Sequence, residues 1–270
     1  MIDAESGNAV APSTATPDWA LEIHGLVKHF DEKKAVDGID LAVPRGSFTG
    51  LLGPNGAGKS TTLAMISGLL RPDAGTIRVV GHDVWADPVA NKARIGVVPE
   101  TLLLFERLSG RELLEYVGRL RTLDPEVVEH RAEELLAVLE LEEAANKLVV
   151  DYSQGMRKKI SLAAALLHVP EVLFLDEPFE SVDPISVRAI RSVLDQLVQT
   201  GATVVFSSHV MATVEALCDH VAIMHEGKLV SVGPMDQVRD GGSLDDAFAS
   251  AVGAAGKIQR EVTFFSPTPS

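Results

Sequence analysis

The stretch Gly53-Pro54-Asn55-Gly56-Ala57-Gly58-Lys59-Ser60-Thr61 constrains this chain more than any other. It fits G-x-x-x-x-G-K-[ST], the P-loop pattern. A largely apolar run, Phe48 to Leu52, precedes it and reads as a buried strand; Thr62 to Leu70 follows and reads as a helix packed on a sheet. The residue types suit a triphosphate, which needs many donors in a small space. Gly53, Gly56 and Gly58 let the backbone curl so that successive N–H groups point inward. Pro54, Asn55, Ala57 and Thr61 complete the cradle, and the helix starting near Lys59 adds the positive end of its dipole. Lys59 would reach the β- and γ-phosphates, and the Ser60 hydroxyl would bind Mg²⁺. A glycine-rich turn with a chance Gly-Lys-Ser would not bring the strand and the helix with it.

The rest of the chain sets limits on what such a loop serves. With 270 residues, 46% of them hydrophobic, it can bury a substantial core in one large domain or two lobes. A formal net charge of −14 argues against a nucleic-acid surface and against electrostatic attachment to anionic lipid. Cys218 is the one cysteine, so no internal disulfide forms, and its apolar setting reads as core. The N-terminal stretch lacks the basic-then-apolar pattern of a signal peptide, and no run approaches the length of a membrane span.

Taken in order, Met1 to about Asp18 is rich in Ala, Ser, Thr and Pro and reads as a mobile tail. Leu21 to His24 and the end of Ala35 to Val43 alternate as strands, with Phe30 in a polar stretch between them. Pro72 to Gly75 is a turn, Thr76 to Val80 a strand, and Ile95 to Val98 a short buried strand. From there to about Tyr152 helical spacing dominates: Ala132, Leu135, Leu136 and Leu139 share one face. Gln154 to Leu167 and Ile185 to Leu197 read as helices, Val172 to Leu175 and Val204 to Phe206 as buried strands. Val221 to Met224 and Leu229 to Val232 form a hairpin, Ser243 to Val252 a short helix, and Gly256 onward a tail. Strands alternating with helices mean an α/β domain with a largely parallel sheet.

Two acids, Asp176 and Glu177, end the apolar strand Val172 to Leu175. A carboxylate there can hold Mg²⁺, and its neighbour can polarise an attacking water. With a P-loop upstream, the pair reads as Walker B. His209 ends the next apolar strand, where it would contact a γ-phosphate.

The order of these motifs resembles the ATP-binding cassette (ABC) ATPases over roughly Leu21 to Val232. Tyr152-Ser153-Gln154-Gly155-Met156 resembles the ABC signature, usually Leu-Ser-Gly-Gly-Gln; Ser153 and Gly155 match, whereas Tyr152, Gln154 and Met156 depart. The resemblance implies that Ser153, Gln154 and Gly155 meet ATP on a partner subunit, although Ser153 also suits a simple helix cap. It places Phe30 as the aromatic that stacks on adenine. It makes Ser181-Val182-Asp183 the D-loop at the dimer interface, with Asp183 equally suited to capping the next helix. Glu100 stands where the family usually has glutamine; it keeps an oxygen for Mg²⁺ and loses the amide donor.

The expected fold is therefore α/β: a P-loop NTPase (RecA-like) core with an antiparallel β subdomain and a mostly helical insert. The expected division is a flexible tail over 1–19, an ABC ATPase domain over 20–240 with a helical subdomain about 100–165, and a short helix and tail over 241–270. The implied protein is an ATP- and Mg²⁺-using hydrolase with Lys59, Glu177 and His209 as catalytic groups and Ser60, Glu100 and Asp176 on the metal. By the same resemblance it powers a separate transmembrane permease through a homodimer or heterodimer with another ABC ATPase. It would sit in the cytoplasm, peripheral on the inner face of the cell membrane, with no nucleic acid expected. Pro99-Glu100, the Tyr-Ser-x-Gly-Met signature and the segment Ser243 to Phe248 are similar to the ABC-2-type exporter branch. Rival readings are a non-transport ABC ATPase in assembly, repair or translation, a GTPase, or a binding-only regulator. A repair member's long coiled-coil insertion, a second cassette and the guanine-reading Asn-Lys-x-Asp are all missing; the nearest string is Asn146-Lys147-Leu148-Val149.

Overall fold

The computed structural model describes residues 18–180 and 182–253. Most of the two expected tails, and Ser181 of the expected D-loop, lie outside the described residues. In chain order the first half comprises β1 (Trp19–Phe30), β2 (Lys33–Pro44), β3 (Phe48–Leu52), α1 (Lys59–Ile66), β4 (Ala74–Val79), β5 (His82–Asp83), α2 (Pro88–Arg94), β6 (Ile95–Val98), α3 (Gly110–Leu120) and α4 (Pro125–Val138). Two 3₁₀ turns, Glu142–Ala144 and Val149–Asp151, lead to α5 (Gln154–Leu166), β7 (Val172–Leu175), α6 (Pro184–Gln199), β8 (Thr203–Ser208), α7 (Met211–Leu217), β9 (His220–His225), β10 (Lys228–Pro234), α8 (Met235–Arg239) and α9 (Leu244–Gly253).

The strands form two sheets. One has six strands in the order β10-β9-β3-β8-β7-β6, parallel except for the β9–β10 hairpin; the other is antiparallel with four strands, β2-β1-β4-β5. Alternation along the central strands divides the core between the sheet's two faces. Phe48 and Leu52 of β3, Leu173 and Leu175 of β7, and Val204 and Phe206 of β8 pack with Leu113, Leu136, Ile160 and Ile190 of the helices. The residues between them, Leu51, Phe174 and Val205, face the antiparallel sheet and share its core with Leu63, Met65 and Ile66 of α1. The helix that follows the glycine loop is thus held between the two sheets. These findings bear out the expected fold class of an α/β P-loop NTPase core with an antiparallel β subdomain and helices inserted between β6 and β7.

Several elements differ from the sequence reading. Trp19 belongs to β1, where it pairs with Pro44, instead of closing the tail. β1 runs on to Phe30 because it pairs with both β2 and β4, and irregular register at Ile23/Leu26 breaks the simple alternation that marks a strand in sequence. Phe30 therefore ends a strand, opposite Lys33 across a tight turn, and does not stand in a polar loop. α2 was not foreseen, though Asp87-Pro88 is a cap followed by proline: the Asp87 carboxylate accepts the Ala90 N–H at 3.0 Å. β5, α7 and α8 are too short to declare themselves by periodicity. In the helical insert, Ser109 and Glu112 form a reciprocal capping box at the start of α3, and the buried Tyr152 hydroxyl donates to the Ala144 carbonyl at 2.7 Å. Among the described residues no helix is long and apolar enough to cross a membrane.

Candidate functional site

Parallel strands bring their C-terminal ends to one edge, and loops leaving those ends meet there. β3 delivers the glycine loop, β6 delivers Glu100, β7 delivers Asp176 and Glu177, and β8 delivers Ser207, Ser208 and His209. The Gly53 N–H donates to the Ser208 carbonyl at 3.2 Å, which ties the start of the loop to β8. Two glycines are dictated by space. A side chain at Gly53 would place its Cβ 2.2 Å from the Met224 carbonyl oxygen. At Gly58, where φ is +108°, a Cβ would lie 2.3 Å from the Ala35 carbonyl oxygen. The β9–β10 turn backs the loop from behind: the Gly227 N–H donates to the Ala57 carbonyl at 2.9 Å.

The loop opens on a cleft of about 420 Å³. Asn55, Gly56, Gly58, Lys59, Ser60 and Thr61 line it, together with Phe30, Glu100 and Glu177. Phe30 is 48% exposed at the rim, with the Lys28 ammonium 5.7 Å from its ring centroid. Lys33 and Ala35 also line the cleft and were missed from the sequence. The signal for Lys33 was the short Asp31-Glu32 turn, which sets it across from Phe30. Of the remaining expected loop residues, Gly53, Pro54 and Ala57 shape the backbone behind the cleft.

Lys59 is buried, and its ammonium donates to the Gly53 and Pro54 carbonyls at 2.9 and 3.3 Å. It also lies 3.3 Å from Oε1 of Glu177. The contact is close enough to be an ion pair but is not aligned as a hydrogen bond, so Oε1 has no hydrogen-bond partner among the described residues. The other oxygen, Oε2, lies 3.1 Å from Nδ1 of His209. Glu177 itself is in the left-handed region, φ +47°. Its N–H donates to the buried Ser207 hydroxyl at 2.9 Å, and that hydroxyl donates to Oδ1 of Asp176 at 2.5 Å. Ser207 is a further member of the site, and no motif in the sequence marks it.

Ser60 donates its hydroxyl proton to Oδ1 of Asp176 at 3.1 Å, and the same hydroxyl oxygen lies 3.5 Å from Oε2 of Glu100. These three oxygen donors, from three segments far apart in sequence, converge as a hard cation requires. Among the described residues no group of three or more His, Cys, Asp or Glu side chains is spaced to hold a metal alone. The hydroxyl of Ser60 with the carboxylates of Asp176 and Glu100 is a donor set that fits Mg²⁺, which takes one or two protein carboxylates and fills its other positions with water and substrate phosphate oxygens.

Ser153, Gln154, Gly155 and Asp183 do not line this cleft. Ser153 caps α5, accepting the Met156 N–H at 3.2 Å. Asp183 caps α6, accepting N–H groups of Ile185 and Ser186 at 3.0 Å. Hydrogen bonds from Ser186 above all, then from Ile185, hold the Asp183 carboxyl below the usual carboxylate range. The two caps are near neighbours: a Cβ on Gly155 would lie 3.9 Å from Oδ2 of Asp183. Cys218 is buried, and desolvation raises its thiol pKa, as expected of a core residue.

Comparison with known proteins identifies the family. The ABC transporter family model matches residues 36–180. The daunorubicin resistance ATP-binding protein DrrA3 of Streptomyces coeruleorubidus is 40% identical over 88% of this chain and 76% of its own length. The linearmycin resistance ATP-binding protein LnrL of Bacillus subtilis (strain 168) is 39% identical over 79% of this chain and 68% of its own. A solved ATP-binding subunit of an ABC transporter superposes with a TM-score of 0.81 at 30% identity, covering 86% of this chain and 99% of that one. The chain belongs to the ABC transporter family, as an ATP-binding and ATP-hydrolysing subunit of the kind that dimerises and works with a membrane permease.

Proposed function

We propose that this chain is the ATPase of an ABC-2-type exporter, powering efflux of a drug, antibiotic or similarly amphiphilic compound through a separate permease. The observation that carries the catalytic part is the placing of Glu177. Its carboxylate lies at the edge of the glycine-loop cleft, held between the Lys59 ammonium at Oε1 and His209 Nδ1 at Oε2. Support for the export part comes from relatives named for daunorubicin and linearmycin resistance.

In this reading Phe30 stacks on adenine, and the backbone from Gly53 to Thr61 cradles the phosphates. Lys59 offsets charge on the β- and γ-phosphates. Ser60, Asp176 and Glu100 would hold Mg²⁺, which when bound would neutralise charge on the phosphate oxygens. The Glu177 carboxylate accepts a proton from the attacking water as the water oxygen bonds the γ-phosphorus and the bond to the ADP oxygen breaks. His209 orients the Glu177 carboxylate through Oε2 and contacts the γ-phosphate. Ser153, Gln154, Gly155 and Asp183, outside this chain's own cleft, serve the ATP of a second subunit, identical or homologous, in a head-to-tail pair.

Residues 20–240 form the ATPase domain, with its helical subdomain at about 100–165 passing motion to the permease on the cytoplasmic face of the membrane. Glu177→Gln tests the catalytic part: turnover should fall about 100-fold or more, the scale of a lost general base, while ATP binding persists. Unchanged turnover removes Glu177 from that role. Mild crosslinking in native membranes followed by mass spectrometry tests the transport part. A polytopic membrane protein without a substrate-binding protein supports export; soluble partners alone sink it.

A further inference from the structure

The ammonium of Lys158 is an unusual buried charge. The residue is 8% exposed, sits on α5 one turn beyond the Ser153 cap, and directs its hydrogen bonds to two backbone carbonyls instead of a carboxylate: Glu177 O at 2.7 Å and Glu180 O at 2.5 Å. Burying a lysine carries a desolvation cost that a purely structural contact would meet more cheaply with an apolar side chain. Burial pulls its pKa below the ordinary lysine value, while the acidic side chains of Glu180, Glu177, Glu100 and Asp176 oppose that fall.

The carbonyls it holds belong to the turn that aims Glu177. That residue adopts φ +47°, a conformation unfavourable for a side chain with a Cβ, so its surroundings must hold it there. On one side its N–H is fixed by the Ser207 hydroxyl at 2.9 Å. On the other its carbonyl accepts from Lys158, and only a long 3.3 Å bond from the Glu180 N–H closes the turn without it. From this geometry we infer that Lys158 is a positioning residue for ATP hydrolysis: by pinning the Glu177 and Glu180 carbonyls it aims the Glu177 carboxylate between Lys59 and His209. The inference rests on the proposed role of Glu177 and deepens it. Lys158 touches neither the nucleotide cleft nor the reacting atoms.

The test compares full-length K158M, K158R, E177Q and the K158M/E177Q double variant, measuring steady-state turnover and equilibrium binding of a fluorescent ATP analogue. A displacement of the base by about 1 Å costs about 100-fold in rate, so K158M should lose turnover on that scale while its nucleotide affinity stays within about twofold of wild type. K158R, which keeps the charge and several donors, should recover to within about tenfold of wild type. In the E177Q background K158M should cost nothing further, because the group it positions is already gone. Turnover of K158M close to wild type overturns the inference, and so does a loss that multiplies in full with E177Q, the signature of a structural role alone. If K158M does not fold, K158Q set against K158R carries the same comparison. Wild-type turnover in E177Q would instead remove the base reading; an inactive E177Q beside a normal K158M would sink only the role of Lys158.

Discussion

Replacing Ser207 with alanine should destabilise the protein out of proportion to the single oxygen removed. Ser207 is 0% exposed. Its hydroxyl donates to the Asp176 carboxylate at 2.5 Å and accepts the Glu177 N–H at 2.9 Å. Alanine removes a hydrogen bond to a charged group, worth about 1.5–3 kcal/mol, and leaves a buried N–H without a partner, at about 1–3 kcal/mol. The two losses share one site and are not fully additive, so a total of about 3–4 kcal/mol is expected. For a chain of this size, that corresponds to a fall in Tm of about 6–16 °C.

The neighbouring Ser208→Ala supplies the control. Ser208 is also buried, but its hydroxyl serves only neutral backbone groups, the Val210 N–H at 3.0 Å and the Val210 carbonyl at 3.5 Å. Its loss should cost about 1 kcal/mol. Urea unfolding of both variants reads the difference directly. Equal destabilisation by the two would refute the reasoning, since it would mean that the carboxylate bond and the orphaned Glu177 N–H carry no special weight.

Three further outcomes are expected. Burial, with a smaller contribution from Arg121, holds the His168 imidazole at a pKa of about 4, and Nε2 lies 2.9 Å from the Ile95 carbonyl. The folded state resists a proton that the unfolded chain takes up near pH 6.5, so this group's contribution is intact above that pH. It is lost as pH falls toward about 4, by about 3 kcal/mol in all; denaturation of wild type and His168→Gln between these pH values should show a shallower slope in the variant. Phe30→Ala should weaken ATP binding about 10- to 100-fold by loss of ring stacking, with Phe30→Trp retaining it; equal affinity in a titration would remove Phe30 from the adenine site. Ser109→Ala breaks the α3 capping box and should lower stability by about 1 kcal/mol in urea unfolding, whereas Ser109→Thr, which keeps the hydroxyl that both accepts from the Glu112 N–H and donates to its carboxylate, should restore most of it.

Much of the fold could be read from local pattern. β7 was legible to the residue because four consecutive apolar side chains bounded by Pro170-Glu171 and Asp176 permit little else. The glycine loop was legible because its backbone shape needs glycine wherever a neighbour comes too close. β1 was read at a third of its length, since bulged pairing to two partners erased its alternation. The short elements β5, α7 and α8 lay below what periodicity resolves, and α2 was hidden behind an Asp-Pro cap that went unused.

The sequence by itself determined the chemistry at each strand end: the phosphate loop, the two acids after β7, the histidine after β8 and the caps of α5 and α6. These are local facts, written in neighbouring residues and in the stereochemistry of glycine and proline. Only the tertiary structure decided which of those groups meet. The parallel order β3-β8-β7-β6 brings Ser60, Glu100, Asp176 and His209 to one edge, and the return of α5 against that edge puts Lys158 beneath Glu177. Ser207, Lys158 and Lys33 carry no motif, because what distinguishes them is their neighbours in space. Strand order and helix packing are set by burying both faces of one sheet at once, a condition of the whole chain that no window of sequence contains.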